Sequence, residues 1–171
     1  MRRLLLVWWS NTGGTRALVE AAVDAGRDAC AALADESGGL ELHAVRCDRV
    51  APAALLRADA FVFATPECLG SIAGPMKSFF DRCYYPVLGA LAGRAYATLV
   101  CAGTDGHGAI RQVDRIATGW RLRRVAEPCL VLTGAQTPEQ IAAPKHPDAP
   151  ALAHARRFGA TLAAGTLAGI W

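Results

Sequence analysis

The sequence predicts an α/β fold, a five-stranded parallel sheet of order 2-1-3-4-5 with helices on both faces, in one domain spanning residues 1–171. Three observations carry this expectation. Five short apolar runs alternate with segments of helical spacing, and each run is too short to be a core helix. The connections between them are short, as βα units require. The first run passes through six small residues straight into a helical pattern, which is how a chain builds a phosphate-binding turn.

The first run is Leu4–Trp9, followed by Ser10-Asn11-Thr12-Gly13-Gly14-Thr15. The spacing of Leu18, Ala22, Ala25, Ala29 and Leu33 predicts a helix from Arg16 to Leu33, ending near Ser37-Gly38-Gly39. Leu40–Arg46 alternates apolar and polar residues, as a half-covered edge strand does, with His43 on the solvent phase. A short helix over Ala53–Arg57 and then Asp59 lead into the third strand, Ala60–Ala64. Thr65–Ser71 reads as a loop at that strand's carboxyl end. The next helix opens at Gly74-Pro75, where the missing proline N–H costs nothing, and turns Met76, Phe79, Phe80 and Cys83 inward. Lys77 and Asp81 form an i,i+4 pair on it.

The fourth strand, Tyr96–Cys101, runs into Ala102–Gly108, whose three glycines predict a loop. A helix carrying Ile110, Val113, Ala117 and Trp120 follows, and the fifth strand is Cys129–Leu132. The proline-rich stretch Thr137–Pro150 crosses to a last helix, Ala151–Ala168, with Ala151, Ala155, Phe158 and Leu162 inward. Right-handed crossovers place the loops after strands one, three and four on one carboxyl edge. The switch point between strands one and three is where such sheets bind ligands.

Composition excludes several classes of function. A net charge of +3, with no basic run interleaved with aromatics, gives no nucleic-acid surface. No segment is long and apolar enough to span a bilayer, and the apolar run in MRRLLLVWW is shorter than a signal-peptide core. The six cysteines are far apart, without C-x-x-C or metal-ligand spacing, and read as reduced, mostly buried thiols of a cytoplasmic protein.

The first loop carries the chemistry. Glycines let backbone N–H groups approach an anion, hydroxyls donate further bonds, and the following helix adds its positive end. The loop has no Lys or Arg before Arg16, so its donors are neutral. It lacks the Gly-Lys pair of a nucleotide-triphosphate loop and does not fit G-x-G-x-x-G. Ser10, Thr12, Gly13 and Thr15 resemble, in register, the flavodoxin phosphate loop [ST]-x-T-G-x-T; an ordinary βα turn rich in small residues is the alternative on this loop alone.

The segment Thr65–Arg82 is similar to the stretch after the third strand in NAD(P)H:quinone oxidoreductases of the Trp-repressor-binding-protein type, which are flavodoxin-fold FMN proteins. Their T-P, then G, then A-G-x-M-K-x-F-x-D pattern is matched nearly throughout. Gly89–Arg94 and the Gly103-Thr104 turn also resemble theirs, and the likeness covers residues 4–135. It implies a flavodoxin-like three-layer sandwich that binds FMN. On this resemblance Ser10, Asn11, Thr12, Gly13, Gly14 and Thr15 would hold the phosphate. Pro66, Glu67, Cys68, Leu69 and Gly70 would lie along the isoalloxazine, largely through backbone groups. Ala102, Gly103, Thr104, Asp105 and Gly106 would close the other side and reach the pyrimidine edge.

The chain departs from that family at three places. Cys68-Leu69 stands where an aromatic is common, Tyr84-Tyr85-Pro86 where relatives carry a tryptophan, and His107 one position after their histidine. Cys68 is then either a packed thiol or a redox-active one, and His107 either a solvated loop residue or a flavin contact. The implied activity is two-electron transfer from NAD(P)H to a quinone or similar small acceptor. No acid or base side chain is obligatory, because the flavin carries the chemistry. The alternatives are a flavodoxin-type one-electron carrier and a non-catalytic FMN-binding regulator. Carriers are typically acidic around the flavin and stack aromatics on it, whereas this chain is net basic and its flavin loops contain none. Leu167, Ile170 and Trp171, with Tyr84-Tyr85, suggest an apolar contact surface and a homodimer or homotetramer.

Overall fold

The computed structural model describes residues 1–33 and 39–171. The elements in order are β1 (Arg2–Trp8), α1 (Gly14–Ala32), β2 (Leu40–Arg46), α2 (Pro52–Arg57), β3 (Ala60–Cys68), β4 (Ser71–Ile72), α3 (Gly74–Tyr84), β5 (Ala95–Ala102), α4 (His107–Gly119), β6 (Arg123–Arg124), β7 (Cys129–Leu132), α5 (Pro138–Ala142) and α6 (Ala149–Ala168). The first helix therefore begins two residues earlier than its apolar spacing suggested. Its expected end at Ser37 and Gly38 lies outside the described residues.

The sheet runs β2-β1-β3-β5, with β6 and β7 together forming the last column. Arg123–Arg124 pairs with Ala95 and Tyr96, and Cys129–Leu132 pairs with Leu99–Ala102, so the fifth strand is one parallel column interrupted in the middle. Pro128 lies in the interruption and has no N–H to offer a ladder. Counted by columns, the order is the expected 2-1-3-4-5, and the architecture is a flavodoxin-like sandwich.

Alternation along the strands sorts the core into two unlike layers. Leu5, Val7, Phe61, Phe63 and Tyr96 face α2, α3 and α4, where Phe63 packs against Phe79, Phe80 and Trp120 with ring centroids 5.0–6.4 Å apart. Leu4, Leu6, Ala60, Val62, Ala64, Ala95 and Ala97 face α1 and α6. Small residues there let the helices approach closely. A Cβ on Gly159 of α6 would run into the Ala22 backbone of α1, and one on Gly26 would meet Ala163 and Leu42.

Two expectations need correction. Thr65–Ser71 is not a free loop: β3 continues through Thr65-Pro66-Glu67-Cys68, turns at Leu69-Gly70 and returns as β4, with Glu67 opposite Ile72 and Cys68 opposite Ser71. Pairing with β5, up to Pro66 opposite Cys101, extends the strand past its apolar run. The chain's end is also not a free apolar surface. Leu167 is 3% exposed, and Trp171 folds back over Gly165 with its indole N–H towards Thr166 Oγ1. Gly169 makes that reversal possible at φ +67°. Ile170, Tyr85 and Leu88 remain exposed.

Candidate functional site

At the carboxyl edge, over the switch point between β1 and β3, lies a cavity of about 450 Å³. That volume is in the range of small-molecule sites, roughly 300–1,000 Å³. Ser10, Asn11, Thr12, Gly14 and Thr15 form one wall, Pro66 to Gly70 a second, and Cys101, Ala102, Gly103 and Thr104 a third. The structure thus brings together most of the residues expected from sequence. Gly13, Asp105 and Gly106 do not line the cavity.

The first wall is a helix start left open. Gly13 takes φ +94° and begins α1, which has neither a side-chain cap nor an acidic residue in its first turn. Ser10 Oγ accepts the Gly13 N–H at 3.1 Å and holds the turn. The N–H groups of Gly14, Thr15 and Arg16 have no acceptor inside a helix of this hand. Thr15 Oγ1 is buried and has no hydrogen-bond partner among the described residues. A buried hydroxyl without a partner is costly unless a ligand completes it. Gly14 is required where it stands, because a Cβ would come within 2.7 Å of Cys101 Sγ. Free helical N–H groups, a positive helix end and an unpartnered hydroxyl are the donors a phosphate needs.

The second wall owes its position to α4. Glu67, expected to contribute largely through its backbone, also has work for its carboxylate. Oε2 accepts the N–H of Gly106 at 2.8 Å and Oε1 that of Ala109 at 3.2 Å. Glu67 therefore caps α4 from another segment, and Gly106, whose N–H it occupies, is not a donor to the cavity. Gln112 Oε1 accepts from the Ser71 hydroxyl and, at 2.9 Å, from Ile72 N–H. A Cβ on Gly108 would collide with the Gly70 carbonyl and crowd Glu67, so the hairpin lies directly on the helix start. Leu69, at the hairpin tip, takes φ +52° and is fully exposed at the cavity mouth.

Cys68 is half-buried and accepts from Asn11 Nδ2 at 3.3 Å. Burial pushes its thiol up, partly opposed by that hydrogen bond, and the Glu67 charge pushes the same way as burial. The thiol form is favoured, as in a packed cysteine rather than a nucleophile. Asn11 also accepts the Trp9 indole N–H at 2.6 Å, and the Arg46 guanidinium stands 4.9 Å over the Trp9 ring. His107 is exposed on the first turn of α4 and does not line the cavity, and Asp105 is exposed beside it.

A fourth wall comes from the stretch between β7 and α6: Thr133, Ala135, Ile141 and Lys145. Sequence reasoning treated this stretch as a mere crossing. The signal that marks it is Thr137-x-x-Gln140, whose Thr137 side chain accepts the Gln140 N–H while Gln140 caps Thr137 in return, starting α5.

These walls fit FMN. The neutral donors of the first wall suit its phosphate. The hairpin and the third loop line the same cavity, and Glu67, their one charged residue there, has its carboxylate turned to α4. No curated protein matches the chain. Among solved structures it resembles a WrbA-like flavodoxin from Agrobacterium tumefaciens, at 18% identity and a TM-score of 0.71 over 95% of this chain and 96% of that one. It also resembles an oxidoreductase from Corynebacterium diphtheriae, at 20% identity and 0.69 over 97% of each chain. An oxidised flavodoxin from Bacillus cereus matches at 15% identity and 0.67, over 92% of this chain and 95% of that one. These likenesses show the fold. The family model described as NADPH-dependent FMN reductase matches residues 49–135, just over half the chain and the segment that builds the second and third walls, so the chain belongs to that family.

Proposed function

We propose that this protein binds FMN and uses it to pass two electrons from NAD(P)H to a quinone or a similar small acceptor. The observation that carries the reading is the cavity at the switch point, with the uncapped start of α1 and the unpartnered Thr15 hydroxyl at one wall. When bound, FMN supplies the redox chemistry. The chain's own contribution is to hold the phosphate on Ser10–Thr15 and to set the ring between Pro66–Gly70 and Ala102–Thr104. The Pro66–Gly70 wall is braced on α4, and the Ala102–Thr104 wall is bonded to Thr133 and Gly134.

Two features favour an enzyme over a one-electron carrier. Among the described residues no aromatic lines the cavity, which leaves a ring face for a nicotinamide. The net charge of +3 opposes the acidic surroundings that carriers use to resist full reduction. A neighbouring copy covering the open face beside Leu69 accords with a homodimer or homotetramer, with exposed Tyr85 and Leu88 as further contact candidates. A monomer by light scattering at micromolar concentration would count against that assembly. All six cysteines are free thiols, as a reducing compartment such as the cytoplasm keeps them. No helix among the described residues is long and apolar enough to cross a membrane.

The deciding experiment is anaerobic stopped-flow mixing of the purified yellow protein with NADH or NADPH, beside a dithionite titration. The enzyme bleaches rapidly with one nicotinamide, is reduced by dithionite in a single two-electron step, and gives parallel double-reciprocal lines with a benzoquinone. Negligible bleaching by either nicotinamide, together with two separated one-electron steps, would assign the protein as a carrier instead.

A further inference from the structure

The strap between β7 and α6, residues 133–148, is stitched to two walls of the cavity. Thr133 N–H bonds the Ala102 carbonyl at 2.9 Å and Gly134 N–H the Gly103 carbonyl at 2.8 Å, fixing one end to the third loop. Lys145 N–H bonds the Thr12 carbonyl at 2.7 Å, fixing the other end to the phosphate loop. A Cβ placed on Gly14 would stand 3.1 Å from Lys145 Cβ, so this lysine rests directly on the loop.

Its ammonium is held but not neutralised. Nζ donates to the carbonyls of Gln140 at 2.6 Å, Ile141 at 3.0 Å and Ala143 at 2.5 Å, at the end of α5. No carboxylate pairs with it among the described residues. Among the described residues Lys145 is the sole Lys or Arg lining the cavity, and the one carboxylate there, Glu67, is engaged by α4. Its field reaches the cavity floor: burial pushes the Cys101 thiol up to about 11, and the Lys145 charge pulls the other way. Independently, the 1% exposed Thr15 has its hydroxyl unpartnered in the same cavity and calls for a hydrogen-bonding ligand.

We propose that Lys145 supplies the positive charge of the phosphate site, making this chain selective for a flavin bearing a phosphate monoester over uncharged riboflavin. The proposal rests on the flavin reading above. A phosphate monoester carries close to two negative charges at neutral pH, and a helix start offers only about half a positive one. The backbone and stem of Lys145 touch Thr12 and Gly14, and its charge, held on the carbonyls that end α5 with no carboxylate beside it among the described residues, lies on the same cavity wall and acts on the phosphate through space. Three carbonyls fix where it stands, so little freedom is lost when the phosphate arrives.

The test is titration of the flavin-free protein with FMN and with riboflavin, at low and high salt, in the unaltered chain and in Lys145→Met and Lys145→Arg. Methionine keeps the stem that packs on Gly14 and removes the charge. In the unaltered chain, salt weakens FMN binding and spares riboflavin. Lys145→Met weakens FMN roughly tenfold or more at low salt, leaves riboflavin within about twofold and flattens the salt dependence. Lys145→Arg keeps most of the preference. If Lys145→Met weakens both flavins by the same factor, or neither, or if FMN binding to the unaltered chain is indifferent to salt, Lys145 is only the clip that ends α5 and the proposal falls. A protein that takes up neither flavin overturns the flavin reading itself.

Discussion

Replacing Glu67 with alanine removes the acceptor of two N–H groups at the start of α4, on Gly106 and Ala109. Hydrogen bonds to a charged group contribute about 1.5–3 kcal/mol each, and loss of a helix cap costs about 0.5–2 kcal/mol. These overlap, since both count the same orphaned donors, and water reaches part of the half-buried site. A net loss of about 2–3 kcal/mol follows. For a domain of this size, 1 kcal/mol lowers the melting temperature by about 2–4 °C, so Glu67→Ala should melt about 5–10 °C below the unaltered chain. Glu67→Gln keeps one acceptor and should lose about half as much. The hairpin has a second hold on α4 through Gln112 and Ile72. Glu67→Ala and Gln112→Ala should therefore be non-additive, the second substitution costing more once the first is made. Thermal unfolding of the flavin-free proteins reads this. A Glu67→Ala melt within about 1 °C of the unaltered chain would show that the carboxylate does not hold the helix start.

Further outcomes are expected at other places. Thr12→Glu, which sets a carboxylate against the open start of α1, should abolish FMN binding while the melting temperature of the flavin-free protein stays within a few degrees; a variant that keeps its flavin would contradict the phosphate site. Gly159→Ala should destabilise the fold by about 1–3 kcal/mol, as overpacking does, because its Cβ meets the Ala22 backbone of α1; a denaturant midpoint unchanged from the parent would contradict it. Burial pushes the thiols of Cys47 and Cys101 up to about 11 and that of Cys129 up to about 12, from an ordinary value of 9.0. The fold thus favours the neutral thiol, so this stability is fully present below about pH 9 and is lost as pH rises towards 11–12. Melting temperatures between pH 8 and 11 should fall more steeply in the parent than in Cys129→Ala, and parallel curves would refute the assignment.

Much of the fold was legible because its central strands, β1, β3 and β5, are buried on both faces and read as apolar runs. The stripe of Met76, Phe79, Phe80 and Cys83 announced α3, and all four are buried as expected. What escaped depends on partners far along the chain. Arg123–Arg124 carries no apolar signal and is a strand only because Ala95 and Tyr96 lie beside it. Pro66 and Glu67 look like a turn in sequence, yet they extend β3, since β5 pairs as far as Pro66 and Gln112 anchors the returning strand. Leu167 looked like part of a sticky end until the helix was seen to turn it inward. The strap's role on the cavity followed from the Lys145 N–H reaching Thr12, a contact that no local pattern encodes.

The proposed placement of the phosphate on α1 rests on the same kind of distant partner, through electrostatics. Two helices, α1 and α4, begin at the carboxyl edge after a glycine in the left-handed region, Gly13 at φ +94° and Gly106 at φ +84°. Neither glycine can cap its helix with a side chain, so from sequence the two starts offer an anion equal terms. The hairpin breaks the tie. Glu67 brings a carboxylate onto the start of α4, takes the N–H groups of Gly106 and Ala109 and opposes its positive end. Among the described residues nothing comparable reaches the start of α1, whose first turn has no acidic residue and whose Thr15 hydroxyl stays unpartnered. One carboxylate thus shapes the site twice: it stiffens the wall expected to lie along the ring, and it leaves α1 as the helix start of this pair still open to the cofactor's anionic end.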